Sequence, residues 1–279
     1  MKKNEGSIAQ GILLGFRTDI HPLKRCLSSD EVSRLTKELS GFDIIPGKLR
    51  IRLADEIDRS RFFPYIPGSP MKPPYLGQYV VEWEHDDISE FDKEYNLILK
   101  TLLALRLLKQ GLVFLASMYS FRRGARSWGL AKVITSPPQN FYGSYTLYLH
   151  EKSRLIEIFE RILPIDFQRN ISLRIACDRF LRYYHEHHLE DRIIDLFIGF
   201  EALFRIGLET KSKSTAIATK CSKLVGKDDP EIAEINTKIR EAYKLRNAIV
   251  HGDKPEGKEI EELTILLEDY LRKSILQSF

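Results

Sequence analysis

The sequence predicts an α+β domain over residues 1–163, of unassigned topology, followed by an all-α, up-and-down helical bundle over residues 164–279. Three observations carry this. Up to Leu163, short apolar runs of period two alternate with a few helical ones. From Asp166 onward apolar residues recur every three or four positions, and strand patterns stop. The helical stretches there are punctuated by capping residues and by glycines. A chain of 279 residues has room for two domains of this size, and a hydrophobic share of 43% supplies a core for each.

In the first half, Ser28-Ser29-Asp30-Glu31 followed by Val32, Leu35 and Leu39 predicts a short capped helix ending at Gly41. Residues 48–53 alternate polar and apolar and predict a strand, as do residues 78–84. Between them, residues 63–75 hold too many prolines for a helix or a central strand and predict a long loop. Otherwise residues 1–92 look irregular. Phe91 to Gly111 predicts a helix whose leucines cover nearly the whole circumference, so it should be buried on most sides. Residues 113–119 and 145–149 predict strands, and residues 151–162 a short helix.

Five helices are expected in the second half. The first spans about residues 171–187. The second, about 191–206, has Ile193, Ile194, Phe197, Phe200, Leu203 and Phe204 on its apolar stripe and Gly207 to end it. The third, about 214–224, stops at Gly226. The fourth opens with Asp229 as its cap and Pro230 in its first turn, turns Ile232, Ile235, Ile239 and Ala242 inward, and closes at Gly252. The fifth spans about 258–274, with Ile260, Leu263, Leu267 and Leu271 inward. Short loops between such helices favour antiparallel neighbours.

Charge and cysteine content narrow the function. The formal net charge of +4 permits an anionic partner without requiring one. The basic residues Lys100, Arg106, Lys109, Arg122, Arg123, Arg126 and Lys132 fall in a stretch, 95–150, that has no Asp or Glu. That stretch reads either as a solvated positive face, balanced by the acidic cluster Glu82–Glu94, or as a surface for a nucleic-acid backbone. Cys26, Cys177 and Cys221 are odd in number and widely spaced, which suits a reducing, cytoplasmic setting better than a disulfide framework or a zinc ribbon. The apolar run near the start is too short for a signal peptide, and Lys100, Arg106 and Lys109 interrupt the most apolar helix, so no membrane association is expected. No Walker, G-x-G-x-x-G or G-x-S-x-G motif occurs. In His185-Glu186-His187-His188 the spacing is not that of zinc proteases, and a polar, solvated helix end accounts for it; neither a metal nor another cofactor is expected.

The residues best suited to chemistry are at the end of the fourth helix, Ile239 to Gly252. Arg246 and His251 leave the axis about 140° apart, whereas Asn247 and His251 share a face. A histidine there exchanges protons near neutral pH, and an arginine holds phosphate oxygens with its planar fork. Asn247 would orient either group. Such a set suits cleavage of RNA by its own 2′-hydroxyl, which needs an acid, a base and an anion clamp but no metal. The plainer alternative is an ion-paired arginine and a histidine that caps the helix against its dipole. Lys244, on the same helix, is a further candidate contact for RNA.

Arg246-Asn247-Ala248-Ile249-Val250-His251-Gly252, with Tyr243 before it and Leu196–Phe204 upstream in an all-α half, resembles the HEPN superfamily, the Apea-like HEPN group in particular. The resemblance covers about residues 166–279. It implies a HEPN-like bundle and a metal-independent endoribonuclease site built across a homodimer, with Arg246 and His251 as its catalytic pair. It implies the same of Asn247 as the polar residue after the arginine, and of Glu201 as the acidic residue that orients the site. Defence against phage, toxin activity or a stress response would fit such a protein. Some family members bind RNA without cutting it. Others pair with a nucleotidyltransferase and carry a tyrosine two places after the histidine, where this chain has Asp253. A two-fold interface past the fourth helix would bring two copies of the Arg/His set into one groove.

Residues 121–129, Phe-Arg-Arg-Gly-Ala-Arg-Ser-Trp-Gly, mix cations, glycines and an aromatic. Arg122, Arg123, Arg126 and Trp128 would suit a loop that holds phosphate and stacks a base, or an ordinary exposed hairpin with Trp128 folded back on the core.

Overall fold

A computed structural model of the chain describes residues 7–14, 16–19, 27–55, 79–85, 91–122, 130–133, 145–207, 212–253 and 257–279. The chain divides into two compact units, Met1–Leu163 and Pro164–Phe279. The first mixes strands and helices and the second is helical.

The first unit holds β1 (Ser7–Leu14), β2 (Phe16–Asp19), α1 (Ser29–Ser40), β3 (Gly41–Ile45), β4 (Leu49–Leu53), β5 (Tyr79–His85), α2 (Phe91–Leu108), β6 (Phe114–Arg122), β7 (Leu130–Val133), β8 (Tyr145–Tyr148) and α3 (Lys152–Ile162). Six strands form an antiparallel sheet in the order β3-β4-β5-β1-β6-β7, and β2 and β8 form a separate parallel pair. The central strand β1 lies in the stretch whose sequence reads as irregular. Its Ala9, Gln10 and Leu13 are all buried. A strand covered on both faces has no reason to alternate, so period two is absent from it. The start of α1 follows its sequence signal: Ser28 and Glu31 form a reciprocal capping box. The loop expected over residues 63–75 lies outside the described residues.

Charges that read as surface in the sequence are used inside this unit. Arg106 on α2 is fully buried and donates through Nε and Nη2 to the Val113 carbonyl at 3.2 and 2.9 Å, over the Phe114 ring. This contact folds the chain back directly after α2, which ends at Leu108 rather than Gly111. Lys100 donates to the Leu163 carbonyl at 2.8 Å, and Lys109 to the Thr146 carbonyl at 2.6 Å and to Glu151. These three cations therefore belong neither to a solvated face nor to a nucleic-acid surface. Nor does Glu82 belong to an exposed acidic cluster. It is buried, and the register sets Gln10, Glu82 and Arg50 side by side across β1, β5 and β4. Glu82 accepts from Gln10 Nε2 at 2.6 Å, Arg50 Nε at 2.8 Å and Arg52 Nη2 at 2.6 Å.

Burial by itself would push the Glu82 carboxyl upward. The bonds and charge of Arg52, with the help of Gln10 and Arg50, outweigh that and hold it below the ordinary range. A carboxylate lowered in the folded state stabilises it at any pH above the unfolded value, about 4.3. That contribution is lost as pH falls through the lower, folded value. Glu82→Gln removes the carboxylate that two guanidiniums share, one of them half-exposed, and is expected to cost about 2 kcal/mol. Chemical denaturation of the full chain at neutral pH checks this, and the difference from the parent chain should shrink on acidification below pH ~4.

The second unit holds α4 (Ile171–Tyr183), α5 (Leu189–Leu203), α6 (Lys213–Val225), α7 (Asp229–Val250) and α8 (Gly257–Leu276). Helix α5 packs against each of the other four. It buries Ile193, Leu196, Phe197 and Phe200, and its rings run on to Phe204 and to Tyr243 of α7. Ile235, Ile239, Ala242 and Leu245 of α7 are buried, and from α8 Ile260, Leu263, Leu267 and Leu271 are buried as expected. A Cβ at Gly199 would lie 2.8 Å from Leu271, so this glycine lets α5 and α8 approach. Asp195, buried on α5, is met by Arg179 at 2.6 Å and Arg182 at 3.3 Å from α4.

Three helix ends differ from expectation, the first being that of α4, which stops at Tyr183 rather than near residue 187. The cap of α7 is Asp228, not Asp229: its carboxylate accepts the Glu231 amide at 2.9 Å, which places Pro230 second in the helix. Helix α5 ends at Leu203, well before Gly207. There Arg205 takes the left-handed conformation with φ 52°, its N–H bonds Ala202 O, and the Ile206 N–H bonds Glu201 O. This is the Schellman pattern with arginine where glycine is usual. Arg205→Gly should relieve the Cβ strain and raise the denaturation midpoint of the full chain, by about 1 kcal/mol in stability.

Candidate functional site

The C-terminal turns of α7 end in a Schellman motif built on glycine. The Asp253 N–H bonds Ala248 O and the Gly252 N–H bonds Ile249 O, both at 3.0 Å, with Gly252 at φ 94°. His251 is the capping residue, exposed, and its own N–H is bound back onto carbonyls of the last turn.

Arg246 faces the other way. Its guanidinium lies 5.7 Å from the centre of the Tyr243 ring, and Tyr243 meets Phe197 of α5 edge-on at 5.0 Å. Nη1 donates to Asn247 Oδ1 at 3.2 Å. Nε is buried without a hydrogen-bond partner. Among the described residues no carboxylate pairs with Arg246. The guanidinium is therefore held by a ring and an amide, neither of which neutralises it. An anion that met this group would find its position already set.

Within one chain the structure joins Arg246 to Asn247 but not to His251. Glu201, the expected orienting acid, sits in the last turn of α5 and pairs with Lys213 of α6 at 3.1 Å; no hydrogen bond or ion pair joins it to Arg246 or His251. Lys244 is exposed on α7 with no ion pair among the described residues. Arg122 is the last residue of β6, opposite Ser7 of β1, and its side chain is not described. Arg123, Arg126 and Trp128 lie outside the described residues. One residue of this surface was not singled out in the sequence: Arg240, whose Nη2 donates to Thr215 Oγ1 of α6 at 3.1 Å. Its signal was present, since it stands four before Lys244 and seven before Asn247.

Comparison with protein-family models, curated proteins and solved structures gave no significant match. Among the described residues no group of three or more His, Cys, Asp or Glu is placed to hold a metal, and Cys177 and Cys221 are buried free thiols. No helix described is long and apolar enough to cross a membrane.

Replacing Gly252 forces a side chain into the left-handed region, so Gly252→Ala is expected to cost about 1 kcal/mol and fray the turn that carries His251. Hydrogen exchange at the Gly252 and Asp253 amides measures this. An unchanged protection there would show that the motif does not hold the turn.

Proposed function

We propose that the helical unit is a HEPN-type RNA-cleaving module, a metal-independent endoribonuclease whose site is completed in a homodimer. The observation that carries this is Arg246. It is fixed by Tyr243 and Asn247 with no carboxylate partner among the described residues, on the same helix end that presents His251 to solvent. A structural ion pair, the plainer reading of this arginine, would require a partner acid. In the proposed reaction a base removes the proton of the RNA 2′-hydroxyl, and O2′ attacks the adjacent phosphorus. The bond to the 5′-oxygen breaks, that oxygen takes a proton from an acid, and a 2′,3′-cyclic phosphate is left. His251 of one copy and its counterpart in the partner supply base and acid. Arg246 holds the non-bridging oxygens as charge builds on them. Two copies are needed because in one chain Arg246 and His251 leave α7 on different sides.

One observation favours a second reading, a non-catalytic RNA-binding module on the same fold. Glu201 is paired with Lys213, and among the described residues no acid is bonded to His251 within one chain.

The two readings separate in one experiment: mixed RNA is incubated with the full chain in EDTA. The nuclease reading expects cleavage to persist and its products to end in cyclic phosphate. His251→Ala should then lower the rate by at least about 100-fold while RNA binding is retained. Arg246→Lys should fail to restore the Arg246→Ala loss, because an ammonium lacks the planar fork. RNA bound but never cut by the parent chain would establish the second reading instead.

A further inference from the structure

On α7, residues 240, 244, 247 and 251 fall within about 60° of one another around the axis. They are Arg240, Lys244, Asn247 and His251, and they span about 16 Å along the helix. Arg240, Lys244 and His251 are exposed and Asn247 is half-buried. None of the four positions holds an acid. The opposite side of the same helix is different: Lys238 is neutralised by Glu241 at 3.0 Å. Lys213, near the end of α5, is likewise taken up by Glu201. Arg240 and Lys244 have no carboxylate partner among the described residues. Arg240 is instead steered by the Thr215 hydroxyl, which itself receives a bond from Ser212 at 2.8 Å. A hydroxyl fixes the direction of a guanidinium without cancelling its charge.

We propose that this stripe is the track along which the phosphate backbone of a single RNA strand reaches the site, with Arg240 and Lys244 each contacting one phosphate upstream or downstream of the bond at His251. The inference rests on the RNA reading of the Arg246 and His251 end, and it extends that reading to residues that take no part in the chemistry. A single strand is specified for two reasons. The cations stand in single file, which matches one backbone. Attack by O2′ also needs a nucleotide free to turn its 2′-oxygen into line with the scissile bond, which a paired strand resists. The contacts are to phosphate, so the track carries little base preference.

The test uses the full chain carrying His251→Ala, so that RNA survives, and a fluorescent oligoribonucleotide without secondary structure. Binding is measured over a series of salt concentrations. Each phosphate contact on a single strand contributes about 0.7 to the slope of log K against log salt. Adding Arg240→Gln and Lys244→Gln together should therefore reduce the slope by about 1.4. Lys238→Gln, which removes a charge from the far side of the helix, should leave it unchanged. An unchanged slope in the double variant overturns the track, as does an equal fall with Lys238→Gln. Preference of the parent chain for an RNA duplex over the single strand also overturns it. Cleavage is read in parallel on chains with His251 intact. Cleavage with an unaltered slope removes the track and leaves the nuclease standing. The expected slope loss without any cleavage supports the track and removes the nuclease.

Discussion

The contact between Tyr243 and Phe197 sets the rotation of α7 about its own axis, and the rest of the candidate site follows from that rotation. With Tyr243 turned onto the aromatic row of α5, Arg246 must lie on the inner flank, along the Tyr243 face. Residues 240, 244, 247 and 251 then turn outward together. A rotation of the helix by one residue, about 100°, would exchange the two sets. The inner flank holds a charge still and the outer flank exposes a row of charges. One aromatic contact thus sorts the polar residues of a single helix between two faces.

The two units treat their charges differently. In the first, cations are absorbed: Arg106 into the turn after α2, Lys100 and Lys109 onto carbonyls, Arg50 and Arg52 onto Glu82. Burying those groups is tolerable only because each is met by oxygen acceptors, since a buried charge left alone costs several kcal/mol. In the second, the core is largely aromatic and aliphatic; of its buried acids, Asp195 is met by arginines of α4 and Glu268 accepts from the Tyr184 hydroxyl. On α7, Arg240, Lys244 and Arg246 have no carboxylate partner among the described residues. A mildly basic total charge conceals these unpaired cations of α7, because it sums them with arginines that are paired in both units.

The helical unit was largely readable in the sequence because amphipathic helices state their period openly. All five helices, the inward residues of α8 and the glycine stop at Gly252 follow from spacing alone. The sheet was less readable. Strand β1 is buried on both faces and shows no alternation, and shortness does not account for β2, β3 and β7, since β4 and β8 are as short and are legible. Charge was the poorest guide. Arg106 reads as a reason for exposure and is fully buried, while Glu201, expected to orient the site, is paired with Lys213. Sequence spacing reports which residues share an element. It does not report which opposite charge on another element arrives first. Arg205 shows the same limit for backbone: nothing local marks an arginine for a left-handed cap, and the packing of α5 decides it.

The cap at His251 has a consequence for motion. Its amide is tied into the last turn of α7, and Gly252 and Asp253 lock the chain on the far side. The ring stands in solvent, yet the backbone from which it hangs is hydrogen-bonded into the helix end. Only two side-chain torsions separate that anchor from the imidazole nitrogens. The ring therefore sweeps a small cone about a fixed pivot, and arresting it beside a partner costs the entropy of two torsions rather than of a loop. An exposed group is in this way already partly pre-positioned before anything binds.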